Sequence, residues 1–236
     1  MKWAVCLFII CLCVSGTAFS QASRDSTFSI FVNNSMSFSR ANDLHINRWL
    51  QKYGYPTEPH VLASYNFELA AIPESSRMMY SIKVSTITSA RNLTSFNLVG
   101  GGYMAIVKNR QFMFLAGLAA GYHNDIINLN GKLPPDYLIL ANQYNTQLSL
   151  RRDGLFVEPA VRAFWFPVTL NKIQLGLFAN LGYDMDFNSK WKLGYYDNNH
   201  GRANHFKKIK NPTDQQKVNE YGLAYSFGLS LHLRIL

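Results

Sequence analysis

Beyond position 13 the sequence contains no cysteine: Cys6, Cys11 and Cys13 are the whole complement of a 236-residue chain. Without them no disulfide can staple the remaining chain, and thiolate zinc sites and iron–sulfur clusters are excluded. Long apolar runs are also missing after the first stretch, so no helix of the ~20 residues needed to cross a bilayer is expected. Acidic side chains are scarce, 14 against 23 basic ones, and the formal charge is +9. In a cytosolic protein that balance would suggest nucleic acid. The start of the chain argues otherwise.

MKWAVCLFIICLCVSGTAFSQA places Lys2 before an apolar run from Trp3 to Val14, followed by small residues at Ala18, Ser20 and Ala22. This is the layout of a secretory signal. Cleavage after Ser20 divides the chain into a signal peptide, 1–20, and one domain, 21–236; cleavage after Ala22 is the alternative. Lipid attachment at Cys11 or Cys13 is disfavoured, because Ile10 and Leu12 stand where a small residue is required. For an exported chain, excess positive charge points to anionic lipid rather than nucleic acid.

What the sequence has in quantity is period-two alternation, the mark of strands with two unlike faces. From Lys172 to Asn188, Ile173, Leu175, Leu177, Leu181, Tyr183, Met185 and Phe187 alternate with Gln174, Gly176, Asn180, Gly182, Asp184 and Asp186. From Tyr221 to Leu236, Leu223, Tyr225, Phe227, Leu229, Leu231, Leu233 and Ile235 alternate with Gly222, Ala224, Ser226, Gly228, Ser230, His232 and Arg234. Each runs for about sixteen residues, whereas strands of soluble proteins are nearer five or six. Six weaker patterns cover Ser26–Phe38, His60–Ala71, Arg77–Ala90, Leu93–Val107, Gln111–His123 and Leu155–Pro167. The glycines at 100–102 are expected to bend or bulge their strand.

Connections alternate as well. IPESS, KNRQ and PVTLN are short, whereas 39–59, 124–154 and 189–220 are long; the link near Arg91 is short where a long one is expected. Tight turns at one end and long loops at the other fit a membrane barrel, in which the backbone pairs by closing on itself. The expected fold is therefore all-β: a closed antiparallel up-and-down transmembrane barrel of eight strands with long external loops. It becomes ten strands if the third loop, PPDYLILANQYNTQLSL, is a hairpin that enters the membrane. Trp165 falls at the short-turn end; Tyr183, Phe187, Trp191, Tyr195 and Tyr221 fall at the other, as two interfacial belts. A soluble barrel with the apolar face inward is the competing reading, disfavoured by strand length and by the Gly, Ser and Ala of the opposite face.

In this layout the chain resembles the small eight-stranded outer-membrane barrels of Gram-negative bacteria, the group of the transmembrane part of outer-membrane protein A. The resemblance implies residence in the outer membrane and insertion by the assembly machinery that reads a C-terminal strand. That strand commonly ends in an aromatic residue; here Ile235 and Leu236 stand instead. Such barrels serve as anchors, adhesins, lipid enzymes or narrow channels, so the architecture does not select the activity.

The inward face is expected to hold Glu68, Lys83, Glu158, Arg162, Asp184, Asp186, His232 and Arg234 as a polar network. A Ser75–Ser76 turn would set Glu68 opposite Lys83. Glu158, Asp184 and Asp186 fall toward the external mouth, where clustered carboxylates could take a divalent cation, although solvated rim residues are commoner and no metal or cofactor is expected. A serine–histidine nucleophile pair is not evident; Ser230 and His232 share a face but lie deep in the lumen. The last loop carries Lys190, Lys192, Arg202, Lys207, Lys208 and Lys210 beside aromatics, suited to lipopolysaccharide phosphates. The first loop has Leu44, Trp49, Leu50 and Tyr53 at helical spacing, a candidate amphipathic lid. The leading expectation is a non-enzymatic, monomeric barrel acting in envelope integrity or surface interaction, its partners being outer-membrane lipid and lipopolysaccharide. A narrow channel or small-solute porin is the alternative, and a lipid A-modifying enzyme the second.

Overall fold

A computed structural model describes residues 28–40, 44–52, 54–57, 61–73, 75–88, 93–129, 148–187, 191–197, 205–208 and 221–235. The strands are β1 (Phe28–Arg40), β2 (Val61–Pro73), β3 (Met78–Ile87), β4 (Leu93–Lys108), β5 (Phe112–Asn128), β6 (Leu148–Leu170), β7 (Ile173–Phe187), β8 (Lys192–Asp197), β9 (His205–Lys208) and β10 (Tyr221–Ile235). A helix, α1 (Leu44–Lys52), lies in the first loop. Each of β1 to β7 pairs antiparallel with a spatial neighbour, β10 joins β1 to β7, and β5 pairs with β6. That last pairing closes an eight-stranded barrel and leaves it without a free edge. Among the described residues no helix is long and apolar enough to cross a membrane.

Side chains sort by parity. Leu69, Ile82, Leu118, Trp165, Leu177, Leu181, Phe227 and Leu229 stand on the outer wall, each more than two-fifths exposed. The residues between them point into the lumen and are buried. An apolar exterior around a satisfied backbone is the arrangement that hydrocarbon demands, and the reverse of a soluble barrel.

Three tight connections stand at one end, beside the start of β1 and the end of β10. Asn171 adopts φ 54°, a conformation asparagine tolerates, and with Lys172 turns β6 into β7. The PVTLN turn is therefore shorter than expected, because pairing continues through Leu170. Asn109 Oδ1 accepts the backbone N–H groups of Gln111 and Phe112, folding the β4–β5 turn. Ser76 N–H donates to the Pro73 carbonyl in the β2–β3 turn.

Several expectations are corrected. The glycines at 100–102 keep unbroken register with both β3 and β5; the irregularity in β4 falls between Ala105 and Val107. A second lies between Trp165 and Val168, where Pro167, lacking a backbone donor, fits a bulge. Ordinary alternation turns Trp165 outward and Phe166 into the lumen, and the bulge then leaves Pro167 and Val168 exposed in succession. β6 begins at Leu148, not Leu155, and its extension pairs with β8, which pairs with β9. The two extra strands thus come from the last loop and stand beyond the barrel; residues 130–147 of the third loop lie outside the described residues. Trp191 belongs to no exterior belt: it is buried, with the Arg152 guanidinium 5.2 Å from its ring centroid.

The first loop folds as its spacing suggests. At the end of α1, Gly54 N–H donates to the Gln51 carbonyl and Tyr55 N–H to the Leu50 carbonyl. This pair of hydrogen bonds needs a left-handed residue, and Gly54 supplies φ 74°. Leu50 and Tyr55, the apolar pair that accompanies such a cap, are both buried. The side chains of Leu44 and Trp49, and all of Tyr53, lie outside the described residues.

Candidate functional site

The lumen holds three layers, and the layer next to the short turns is apolar. Phe31, Ile72, Met79, Met113, Leu115, Phe164 and Phe166 are at most 3% exposed. Phe31 lies 5.8 Å from Phe164 and 6.1 Å from Phe166, and it stacks on the His232 ring at 4.3 Å. His232 Nδ1 is 2.6 Å from Gln174 Oε1, and Gln174 Nε2 donates to the Arg110 carbonyl and to Thr169 Oγ1. The expectation of a polar interior is corrected here: this half is a hydrophobic plug sealed by one amide. An eight-stranded lumen is just wide enough for side chains to fill, and large aromatic rings fill it.

The middle layer is an ion-pair lattice. Glu68 and Lys83 are direct cross-strand partners in register. Yet each finds its close ion pair across the lumen: Arg162 Nη1 donates to Glu68 Oε1 at 2.6 Å, and Lys83 Nζ lies 3.3 Å from Glu158 Oε2. Asn180 ties the pairs together, accepting from Arg162 Nε at 3.1 Å and donating to Glu158 Oε1 at 3.1 Å. Asn33 donates to the second Glu68 oxygen at 3.0 Å. The Arg162 guanidinium lies 3.7 Å above the Tyr103 ring, a charge–quadrupole contact strengthened because both groups are buried. A Cβ on Gly101 would come 2.6 Å from that ring, and one on Gly182 would overlap the Glu158 carboxylate. Inward glycines therefore make room for the lattice.

The outer layer brings together His123, Asp125, Arg152 and Asp186. Arg152 Nε donates to Asp125 Oδ2 at 2.9 Å and its Nη2 contacts the same oxygen, while Nη1 lies 3.7 Å from Asp186. The His123 ring spans the two carboxylates, 3.2 Å from Asp125 and 3.3 Å from Asp186. At the rim, Lys192 Nζ bonds Asp153 Oδ1 at 2.9 Å.

The expected carboxylate cluster does not form. Glu158 belongs to the middle lattice and Asp186 to the outer one, each beside a cation, and Asp184 is half-buried on β7. Among the described residues no group of three His, Cys, Asp or Glu could hold a metal ion. Arg234 is exposed at the short-turn rim, not inside. Ser230 is buried, and the neighbouring His232 ring is held by Phe31 and Gln174. Lys207 and Lys208 lie on β9, while Lys190, Arg202 and Lys210 are outside the described residues. Sequence reasoning missed Asn33, Tyr103, His123, Asp125, Arg152, Gln174 and Asn180. His123 and Asp125 share a face by parity, and Asp125 opposes Arg152 in register; an earlier start for β6 would have revealed that pair.

No protein-family model matches the chain, and no curated protein does. Among solved structures, a major outer membrane protein from Thermus thermophilus superposes with a TM-score of 0.53 at 10% identity, over 88% of this chain and 99% of that one. The fold is that of an outer-membrane β-barrel. Neisserial surface protein A is also similar, at TM-score 0.45 and 7% identity over 88% of this chain and 97% of that one. So is the outer membrane protease OmpT from Escherichia coli, at 0.30 and 8% over 90% and 98%. The apolar outer wall and the closed backbone place this outer-membrane barrel in the outer membrane, with its lumen isolated from lipid.

Proposed function

We propose that this outer-membrane barrel neither conducts nor catalyses, and that it acts in envelope integrity or surface interaction through its external loops. The observation that carries the reading is the filled lumen. A solute entering from outside would meet Arg152 and Asp125, then the Glu68–Arg162 lattice, then the ring of Phe31, Phe164 and Phe166. A narrow channel would need all three layers to move. Catalysis has as little support, since Ser230 and His232 are sealed from both the loops and the lipid.

The external face is where this reading puts function. β5 and β6 continue past the barrel, and β8 and β9 widen them into a small sheet. Lys192, Lys207 and Lys208 lie on these strands, with Lys190, Arg202 and Lys210 in the adjoining sequence. Basic groups beside an outer leaflet suit the phosphates of lipopolysaccharide. Deletion should sensitise cells to detergents and large antibiotics. The intact gene should restore resistance, and a variant with 189–219 replaced by a short turn should not. Lipid A mass spectra should be the same with and without the protein; a changed spectrum would overturn the non-enzymatic reading.

A further inference from the structure

Outward positions 28–38 of β1, 61–73 of β2 and 221–235 of β10 carry apolar or aromatic residues with a single exception at Asn34. Asn34 is exposed and pairs in register with Phe67 on one side and Leu229 on the other. Both neighbours sit in the middle of their own apolar rows, so the amide lies deep in the belt. Leu229 is 67% exposed, more than any other large apolar residue of the outer wall, because the short Asn34 side chain leaves a notch beside it. Tyr65, whose hydroxyl would ordinarily reach for the headgroups, instead donates to Asn34 Oδ1 at 2.7 Å. That bond occupies one lone pair of the amide oxygen. The two N–H donors of Nδ2 find no acceptor among the described residues, and acyl chains offer none.

We propose that the β2–β1–β10 wall is the contact surface for a second copy of this chain, with Asn34 at its centre. A two-fold axis along the membrane normal keeps every residue of one copy at the depth of its counterpart. Asn34 then meets Asn34. Each Nδ2 donates to the other copy's Oδ1, which has a lone pair left beside the Tyr65 bond. A primary amide is self-complementary in this way, whereas a lone carboxylate or ammonium would not be. Leu229 and Phe67, standing proud on either side of the notch, supply the packing that joins helices and strands in lipid, where no hydrophobic effect drives association.

The mature chain carries no cysteine if the first twenty residues are removed, so single-cysteine reporters are clean. Leu229→Cys and Phe67→Cys, both retaining Asn34, are reconstituted in phospholipid vesicles and treated with a membrane-permeant bis-maleimide long enough to reach across the two-fold axis, which holds like residues on opposite sides and too far apart for a disulfide. Each should give a covalently cross-linked dimer on a denaturing gel. Leu118→Cys, on the opposite wall, should stay monomeric. Adding Asn34→Leu to the Leu229→Cys protein should lower the dimer yield at least five-fold, while Asn34→Gln should retain most of it. Heat-modifiable mobility confirms that each variant is folded. Equal cross-linking at 118 and 229, no dimer at either 229 or 67, or a yield indifferent to Asn34→Leu would each overturn the proposal.

Discussion

Replacing Arg162 by Met removes the keystone of the middle layer while keeping most of its volume. The guanidinium is 2% exposed and bonds Glu68 and Asn180 while stacking on Tyr103. Its loss leaves Glu68 with the neutral donors Asn33 and Ser81, and with Lys83 directly across the strand pair but engaged with Glu158. Breaking a buried pair from one side typically costs about 3–5 kcal/mol, because the remaining charge is uncompensated. The stacking contact adds ~0.5–2 kcal/mol, not fully additive. A total near 4 kcal/mol is therefore expected, large against the usual stability of a domain, about 5–15 kcal/mol. The second variant, Glu68→Leu with Arg162→Met, removes both charges and should recover most of the loss, since an apolar replacement of a whole buried pair is often near neutral. Urea unfolding in lipid vesicles, followed by tryptophan fluorescence, measures both. A single variant within about 1 kcal/mol of the parent, or a double variant no better than the single, would refute the lattice as described.

Leu229→Arg puts a cation on the lipid face at mid-belt, where it costs ~2–4 kcal/mol; the fraction migrating as a folded, heat-modifiable barrel should fall sharply, and normal insertion would contradict the outward orientation. Gly117→Ala forces a Cβ into the Gly102 carbonyl and the Tyr103 backbone. It should destabilise by about 1–3 kcal/mol, as overpacking does; thermal unfolding at an unchanged temperature would show that the strands can part there. Lys192→Ala, by contrast, breaks a rim pair whose side chains are 35% and 32% exposed. Its effect should stay below ~1 kcal/mol and vanish at high salt, and a larger loss would show that the pair anchors the external sheet.

The architecture was legible because lipid and lumen impose opposite chemistry on successive residues. β7 and β10 advertise it most clearly: Leu175, Leu177 and Leu181 face out while Gln174, Asn180 and Asp186 face in. β6 hid its alternation for a physical reason. Phe164 and Phe166 fill the lumen and Trp165 meets lipid, so both faces are apolar and the period disappears. Register was legible through turn length, which sets Glu68 opposite Lys83. Partner choice was not, because curvature carries β3 and β6 toward each other across a narrow interior, and no spacing along one strand encodes that approach. The β8–β9 hairpin escaped notice because its pairing depends on β6 extending past the barrel to Leu148. The glycines at 100–102 looked like a bend, but the space at Gly101 serves the Tyr103 ring instead.

The central claim is that the lumen is closed, and electrical conductance tests it most directly. Purified protein added to a planar lipid bilayer in concentrated potassium chloride should insert without raising the current above that of the bare membrane. Opening all three layers at once, with Phe31→Ala, Phe164→Ala, Arg162→Ala and Arg152→Ala in one chain, should introduce measurable leak if that variant still folds as a heat-modifiable barrel, which shows that side chains close the parent. Discrete, stable current steps from the unaltered protein would mean that the aromatic plug and the Arg162 lattice do not close the barrel.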